Sequence, residues 1–374
     1  MPRWVNWATT RGAPWHSPER MRLRLPRHPI HGLPFDAPIR NELRFEYERM
    51  PWSQRAGLLR KVAQRELLLL LTGQTWRRVS RARTRRVLWI YQWGTIGDAL
   101  MDLAVRRALP DEVRIDLCIV ATLGPLFDGD PRFAQVHTRI GDCKGPYDFV
   151  LLQNLGAGAV SMKIRSAPLA PFATLFEHLR GERFDRLTFA QRRFEQLFGL
   201  PSAAPSPQWL ALGPRPQRDT RRTRVAVALG AREPRRWYRR WPEVLNALLA
   251  RWPAAWPAPE FVLLGNRTAL GDLPPFAAEP LARHCRIEVD RLDLPGVARA
   301  VHDCDVFLGA DGGLMHLAVA CDLPGLAVFV EIDPALRLLP GTRLQSLFTE
   351  GAIDDLPAEQ IALAWLEALR PDGF

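Results

Sequence analysis

The sequence predicts an α/β protein in which two Rossmann-like domains face each other across a cleft, after an N-terminal extension. From residue 86 onward, continuous apolar runs of strand length alternate with helical segments, as in parallel sheets covered on both faces. A Pro-rich polar stretch at 200–222 interrupts this alternation, which then begins again. The chain has 374 residues, too many for one ordinary core and about right for two domains.

The first series of elements precedes the Pro-rich stretch. Three apolar runs predict strands, at 86–91, 115–120 and 147–155. A Gly-containing turn and a helix follow the first run, and charged, aromatic helices are expected over about 170–200.

The second series is longer. Its predicted strands lie at 224–230, 260–266, 286–290, 305–309 and 325–331. Its predicted helices lie at 241–252, 294–304 and 312–322, and a closing helix is expected at 357–370. The expected organisation is an extension at 1–85, one domain at 86–205, a linker at 206–222, a second domain at 223–345 and a C-terminal segment at 346–374.

Composition fits a globular protein, with 47% apolar and 24% charged residues. No apolar run approaches the ~20 residues of a membrane-spanning helix, and the N-terminus lacks the apolar centre of a signal peptide. Five scattered cysteines without CxxC spacing fit reduced thiols. These features predict a cytoplasmic protein.

The N-terminal segment carries most of the positive charge. Residues 1–86 hold 19 Lys/Arg and 6 Asp/Glu, whereas the whole chain has a net charge of +11. A helix predicted at 53–73, with Ser53 as its cap and Gly73 at its end, has a basic polar side and several tryptophans nearby. The segment either lies on the inner face of an anionic membrane or packs on the main body with a solvated basic face.

The turn after the first strand reads "GTIGDAL", residues 94–100. Gly94 and Gly97 allow a sharp turn and the close approach of a ligand, and Asp98 falls at the mouth of the next helix. Ligands bind at the carboxyl ends of strands in open parallel sheets. Asp98 is therefore either a helix cap or a functional carboxylate. GxGxxG is absent, which argues against a dehydrogenase.

A second candidate segment is "GAREPRRWYRRWPE", residues 230–243, between a predicted strand and a predicted helix. It carries five arginines in nine residues: Arg232, Arg235, Arg236, Arg239 and Arg240. A cationic loop at a strand end suits a pyrophosphate, since guanidinium groups bind phosphate oxygens in pairs. The alternative is an ordinary solvated basic loop.

A third candidate segment is "GADGGLMHLAVA", residues 309–320. Gly312 and Gly313 open a helix whose free N–H groups and dipole favour an anion. Asp311 is expected to cap the helix or to contact a sugar hydroxyl. His316, one turn further on, either faces the same site or is a structural histidine.

Together these motifs resemble the heptosyltransferase family, glycosyltransferase family 9, which has the GT-B fold. The resemblance covers about 86–345. It rests on "WGTIGDAL", on "RRWPE" with Arg239 in place of the family's lysine, and on "DGGLMHLAVACDLPGLAVFVEIDP". In the last motif the usual threonine is Gly312. After "FVLLGN", where the family often has an acid, this chain has Asn266 and Arg267.

The resemblance implies an inverting, metal-independent glycosyltransferase with no cofactor. It implies Asp98 as the catalytic base. The implied donor and phosphate ligands are Gly312, Gly313, Arg239, Arg235, Arg236, Asp311, His316 and Leu314. On the acceptor side it implies Gly94, Thr95, Gly97, Gln153 and Asn154.

The expected partners are a nucleotide-sugar donor resembling ADP-heptose and an anionic glycan or glycolipid acceptor such as lipopolysaccharide core, with no nucleic acid. Two alternatives stay open: a GT-B nucleotide-sugar epimerase, which consumes no acceptor, and a non-catalytic protein that binds a nucleotide or glycan.

Overall fold

The computed structural model describes residues 51–72, 84–154, 156–176, 185–217, 220–266 and 274–369. Two parallel β-sheets flanked by helices make up the main body, as the alternating pattern predicts. Most of the N-terminal extension lies outside the described residues, and so does Gly73.

The first sheet has the strand order β3-β2-β1-β4-β5, and all of its pairings are parallel. Its strands are β1 (Arg86–Tyr91), β2 (Arg114–Ile119), β3 (Phe133–His137), β4 (Phe149–Leu152) and β5 (Phe172–Thr174). Chain order runs outward from β1 to β3 and then returns to the other side of β1. The direction therefore reverses between β1 and β4, and such a switch point opens a crevice at the carboxyl ends of its two strands.

The second sheet has the order β11-β10-β9-β6-β7-β8 and is also parallel throughout. Its strands are β6 (Arg222–Ala228), β7 (Ala258–Leu264), β8 (Cys285–Ile287), β9 (Val306–Ala310), β10 (Gly325–Val330) and β11 (Leu344–Thr349). Here the direction reverses between β6 and β9. The second crevice therefore opens beyond the ends of these two strands.

Helices cover both sheets. In chain order they are α1 (Trp52–Leu71), α2 (Ile96–Asp102), α3 (Gly124–Phe127), α4 (Ala157–Ser166), α5 (Arg186–Phe198), α6 (Trp241–Arg251), α7 (Leu294–His302), α8 (Gly313–Ala320) and α9 (Ala358–Ala368). Local sequence explains several starts. Asp185 accepts the Thr188 N–H at 3.0 Å to cap α5, and Asp293 accepts the Gly296 N–H at 2.8 Å to cap α7.

The sequence pattern did not predict β3, β5, β11 and α4. Strands β3 and β11 lie at sheet edges, and polar or exposed residues interrupt their apolar runs, so they lack the continuous apolar run of a central strand. Strand β5 is only three residues long, and α4 is rich in small and polar residues. Within the described part of 170–200, one helix, α5, is present.

Helix α1 begins at Trp52, directly after Pro51, so Ser53 lies inside the helix and does not cap it. It packs against α4, and Leu68 contacts the apolar cluster below. Trp52, Leu67, Leu70 and Leu71 stay 74%, 55%, 77% and 73% exposed. No helix in the described part of the chain has the length and apolar character needed to cross a bilayer.

The two domains meet where α2 packs against α8. A Cβ atom on Gly97 would overlap the ring of His316, and a Cβ on Gly313 would lie 3.1 Å from the Cβ of Ile96. One apolar cluster includes side chains of both domains, such as Leu100 and Met315. The absence of side chains at Gly97 and Gly313 thus allows the domains to approach closely.

The segment between the two sheets contacts both domains through consecutive residues. The Trp209 carbonyl accepts a hydrogen bond from Arg106 Nη2 of the first domain at 2.8 Å. The Gln208 side chain lies 2.9 Å from His316 Nδ1 of the second domain. At the far end of the chain, Trp365 of α9 packs in the second domain's core and donates to the Phe307 carbonyl at 2.8 Å.

Candidate active site

The sequence-predicted site residues lie at the two switch points. On the first domain they occupy the turn after β1, the start of α2 and the residues after β4. On the second domain they occupy the arginine loop after β6 and the stretch between β9 and α8. Because α2 and α8 pack together, these two groups of residues face each other across the junction of the domains.

Asp98 is the third residue of α2. Its Oδ2 accepts a hydrogen bond from the Thr95 hydroxyl, and its Oδ1 lies 3.5 Å from Arg186 Nε. Thr95 occupies the N-cap position, so Asp98 is not the cap residue that one interpretation of the sequence suggested. Its side chain is 32% exposed, which leaves the carboxylate accessible to a ligand.

Arg186, at the start of α5, connects Asp98 to a second carboxylate. Its Nε and Nη2 bond the two oxygens of Asp102 at 2.8 and 2.5 Å. Asp102 also accepts bonds from the Tyr91 hydroxyl and the Gln153 amide, each at 3.1 Å. Burial raises the pKa of Asp102 to about 6, against the opposing attraction of Arg186, so Asp102 is ionised at pH 7.

Gln153 supports the turn after β1. Its Oε1 accepts the backbone N–H groups of Gln92 and Trp93, both at 3.2 Å, while its Nε2 bonds Asp102. Asn154 is half-buried beside it, and Gly94 is exposed with nothing near the position of an added Cβ. Gln153 therefore shapes the site from beneath, and its contact with an acceptor stays a prediction.

The loop arginines differ in their surroundings. Arg236 is largely buried, with Nη1 3.4 Å from Asp311 Oδ2. Arg235 is 42% exposed and bonds Glu331 at 2.5 Å. Arg240 pairs with Glu243 at 2.6 Å on the surface.

Arg239 and Arg232 are exposed, like Arg235. The backbone N–H of Arg239 donates to Asp354 at 2.9 Å, which fixes the backbone while its side chain extends into solvent. Arg239 lies between a short 3-10 helix, Pro234–Arg236, and α6. One residue separates it from the start of α6. The loop therefore presents cations at several depths along the carboxyl edge of the second sheet.

The start of α8 is built from glycine. Gly312 is the N-cap residue with extended backbone, φ 172°, and Gly313 begins the helix. A Cβ on Gly312 would lie 3.1 Å from the Cβ of Ala231 in the arginine loop. The first turn of a helix leaves N–H groups without partners inside the helix, so this end attracts anions. Leu314 is half-buried against the shared apolar cluster.

Asp311 is buried at the end of β9, and its backbone N–H donates to the Val328 carbonyl at 2.8 Å. Its carboxylate faces Arg236. The expectation that Asp311 caps the helix is not what the structure shows, because Gly312 holds that position without a side-chain bond. Asp311 instead holds the guanidinium of Arg236 beside the glycine pair.

His316 is buried at the domain junction, beside Gly97. Burial, and then the positive charge of Arg337, lower the pKa of His316 to about 3; Arg236 and Arg186 act in the same direction and Asp98 opposes them. The ring is therefore neutral at pH 7. Its Nδ1 lies 2.9 Å from Gln208 Oε1, an acceptor, so Nδ1 carries the proton and Nε2 has a lone pair.

Sequence reasoning missed four residues at this site: Arg186, Asp102, Gln208 and Arg337. Their partners are distant in the chain, and none belongs to a motif. One signal pointed to Arg186: it follows the cap residue Asp185 as the first residue of a helix. A cation is unfavourable at a helix N-terminus, so its presence there indicates a partner elsewhere.

Comparisons with known proteins support the family resemblance and the fold. The family model described as glycosyltransferase family 9 (heptosyltransferase) matches residues 276–346, which include β9, the start of α8 and β10. No curated protein sequence matches the chain. The resemblance predicted from the sequence is thus confirmed in the second domain. It supports the predicted enzyme class, a glycosyltransferase.

Solved structures show the same fold at low sequence identity. A glycosyltransferase family 9 protein from Veillonella parvula has a TM-score of 0.59 at 13% identity and covers 76% of this chain and 97% of its own. ADP-heptose lipopolysaccharide heptosyltransferase II of E. coli has 0.57 at 14%, covering 75% and 98%. E. coli heptosyltransferase WaaC with ADP has 0.56 at 18%, covering 76% and 99%. The predicted GT-B architecture is confirmed.

Proposed function

We propose that this protein is an inverting glycosyltransferase that moves a sugar from an ADP-heptose-like donor to a hydroxyl of an anionic glycan or glycolipid, such as lipopolysaccharide core. The observation that carries the proposal is the placement of Asp98 across the domain junction from a cationic loop and a glycine-rich helix start. The names of the solved relatives, which include ADP-heptose and ADP, support this class of donor.

In the proposed reaction the acceptor hydroxyl oxygen attacks the anomeric carbon of the donor sugar. Asp98 takes the hydroxyl proton as the new C–O bond forms, and the bond to the diphosphate breaks with its electron pair. The attack comes from the face opposite the leaving group, so the anomeric configuration inverts. An exposed carboxylate hydrogen-bonded by Thr95 has the position and the acceptor lone pairs for this role.

The departing nucleoside diphosphate gains negative charge. We assign its stabilisation to the first N–H groups of α8, at Gly312 and Gly313, with Leu314 next in the turn, and to Arg239, with Arg235 and Arg236 beside it. Fixed donors aimed at developing charge contribute about 3 kcal/mol each to catalysis. Asp311 takes an indirect part, because it holds Arg236 in the cleft.

We assign His316 to the donor sugar. A neutral imidazole with a lone pair on Nε2 accepts a hydrogen bond from a sugar hydroxyl, whereas it would repel a phosphate oxygen. On the first domain, Gly94, Thr95, Gly97, Gln153 and Asn154 are proposed to form and support the acceptor side. Thr95 also orients Asp98 through its hydroxyl.

We also propose that the reaction needs no metal ion, since we assign the stabilisation of the charge that develops on the diphosphate to the arginines of the loop after β6. The test is turnover in EDTA. Unchanged activity supports the proposal, and a loss that Mg²⁺ restores contradicts it.

The direct test of the function is incubation of the full-length protein with ADP-heptose, with and without lipopolysaccharide that lacks core heptose. Release of ADP coupled to a mass increase of one heptose on the acceptor is the expected result. A changed nucleotide sugar without acceptor would indicate an epimerase instead. ADP binding with no turnover of any nucleotide sugar would indicate a non-catalytic protein.

We keep the predicted domain boundaries, at 85/86, 205/206, 222/223 and 345/346, as a proposal. Strand β6 begins at Arg222, next to the third of these, and β11 runs across the last. Limited proteolysis should cut first in the segment 206–222 if the two sheets behave as separate units.

We further propose that the protein works in the cytoplasm, with α1 in contact with the anionic inner face of a membrane. The exposed Leu67, Leu70 and Leu71 lie on neighbouring turns, and the segment after them, 73–86, has six arginines and no acid. Replacing the three leucines by serine should abolish flotation with phosphatidylglycerol vesicles. Leu363→Ser, a control at a 49% exposed leucine of α9, should leave flotation unchanged.

A further inference from the structure

We propose that Arg186 and Asp102 are positioning residues for Asp98, and that they close a ring of hydrogen bonds and one ion pair which fixes this carboxylate at the cleft. The inference rests on the proposed role of Asp98 as the base. It concerns two buried residues, and their proposed effect on the reaction passes through Asp98.

The contacts of Arg186 carry the first step of the argument. Its guanidinium holds both oxygens of Asp102 and also lies 3.5 Å from Asp98. It packs over the rings of Trp93 and Phe176, at 4.2 and 4.8 Å from their centroids. A planar cation held on one edge by two bonds and on its face by aromatic rings has a fixed orientation.

The ring then returns to the turn that precedes Asp98. Asp102 accepts from Gln153 Nε2, and Gln153 Oε1 accepts from the backbone N–H groups of Gln92 and Trp93. Thr95, two residues further along this turn, bonds Asp98. Movement of Asp98 would therefore require movement of the turn, of α5, or of both.

The charges explain why two residues are needed. A lone guanidinium beside a general base would hold the base ionised and weaken it as a proton acceptor. Asp102 is fully buried and compensates the charge of Arg186. Tyr91 of β1, whose pKa burial raises, and His316 of α8, which is neutral at pH 7, also interact with Asp98. Arg186 and Asp102 are thus two opposite charges that both act on Asp98.

The experiment compares three variants of the full-length protein. Arg186→Met with Asp102→Asn removes both charges at once, so that no buried ion is left unpaired. Asp102→Asn alone leaves the cation uncompensated, and Arg186→Lys keeps the charge without the planar fork. The matched control is Arg106→Met with Asp130→Asn, which removes another fully buried ion pair of the same domain.

Two quantities are measured: the pH dependence of kcat/KM with ADP-heptose, and the titration of the Asp98 carboxyl carbon by ¹³C NMR, assigned with Asp98→Asn. In the double variant, the acid limb of the kcat/KM profile and the titration of the Asp98 carboxyl carbon should both move to higher pH. In Asp102→Asn, both should move to lower pH. In the double variant kcat should fall about tenfold to a hundredfold with little change in the donor KM. Arg186→Lys should recover part of that loss.

Shifts in the same direction in both variants, or no shift in either, would overturn the proposal. So would equal shifts in the control pair. The NMR titration does not need turnover. The wild-type protein could transfer no sugar while the Asp98 carboxyl titration still moves in opposite directions in the double variant and in Asp102→Asn. In that case the proposed function fails, and the positioning of Asp98 by Arg186 and Asp102 stands.

Discussion

The two walls of the cleft are built in opposite ways. On the first domain, the groups around Asp98 bond one another: Arg186, Asp102 and Gln153 are buried and leave one partly exposed carboxylate. On the second domain, cations stand at the surface, with Arg239 exposed and Arg235 42% exposed. The first wall fixes a single carboxylate. The second wall offers several positive charges to a ligand that is itself negatively charged.

This difference follows from what each wall is proposed to contact. A base must hold one geometry relative to a reacting hydroxyl, so it benefits from neighbours that do not move. A diphosphate carries two or more charges that water also solvates. Cations that stay exposed to solvent incur little desolvation free energy before the ligand binds. The four predictions below test this contrast, from the largest effect to the smallest.

Asp98→Asn should lower kcat by about 10² to 10⁴-fold, because it removes proton acceptance. ADP binding should stay unchanged, since the nucleotide is proposed to contact the opposite wall. Steady-state kinetics and a thermal shift with ADP measure the two effects. Asp128→Asn, at an exposed position of the same domain, is the control. Full activity in Asp98→Asn would remove the base from the first wall.

Arg239→Ala should lower kcat/KM for the donor by about 10² to 10³-fold, because it removes a cation from beside the proposed position of the leaving diphosphate. Unlike Asp98→Asn, it should also weaken ADP binding, which calorimetry measures. Arg251→Ala, at the far end of α6, removes another half-exposed arginine and should change neither quantity. ADP binding equal to that of wild type would place the diphosphate elsewhere.

Gly97→Ala should destabilise the protein by about 1–3 kcal/mol, because the added methyl group would overlap His316 at the contact of the two walls. Gly94→Ala in the same turn has open space around it and is the matched control. Chemical denaturation measures both. Equal stability of the two variants would mean that the walls are not in close contact at this point.

His316 should make stability depend on pH. Its folded pKa of about 3 lies below the usual 6.5, so its contribution is full above pH 6.5 and is lost as pH falls toward 3. The loss is about 1.4 kcal/mol per pH unit. His316→Gln should flatten the curve of unfolding free energy between pH 6 and pH 4. An unchanged slope would show that this ring is protonated or solvated in the folded protein.

Much of this architecture could be predicted from the sequence, because buried parallel strands are continuous apolar runs and ligands gather at their carboxyl ends. Strand β1 was located residue for residue, and Asp98, Arg239 and Gly313 were placed at strand ends. Edge strands β3 and β11 were missed because polar or exposed residues interrupt their apolar runs. Arg186 and Asp102 lie 84 residues apart, and Gln208 and His316 lie 108 apart, so no local pattern reveals either pair.

The linker has a mechanical consequence. Trp209 is fastened to the first domain and Gln208 to the second, although they are adjacent in the chain. A rotation that opens the domains cannot pivot at these two residues without breaking one of the bonds. A pivot on the C-terminal side, where 211–217 run with Pro214 and Pro216 and largely exposed side chains, would keep the Trp209 bond and break the Gln208 contact. Gln208 would then act as a latch that releases His316 only when the domains separate.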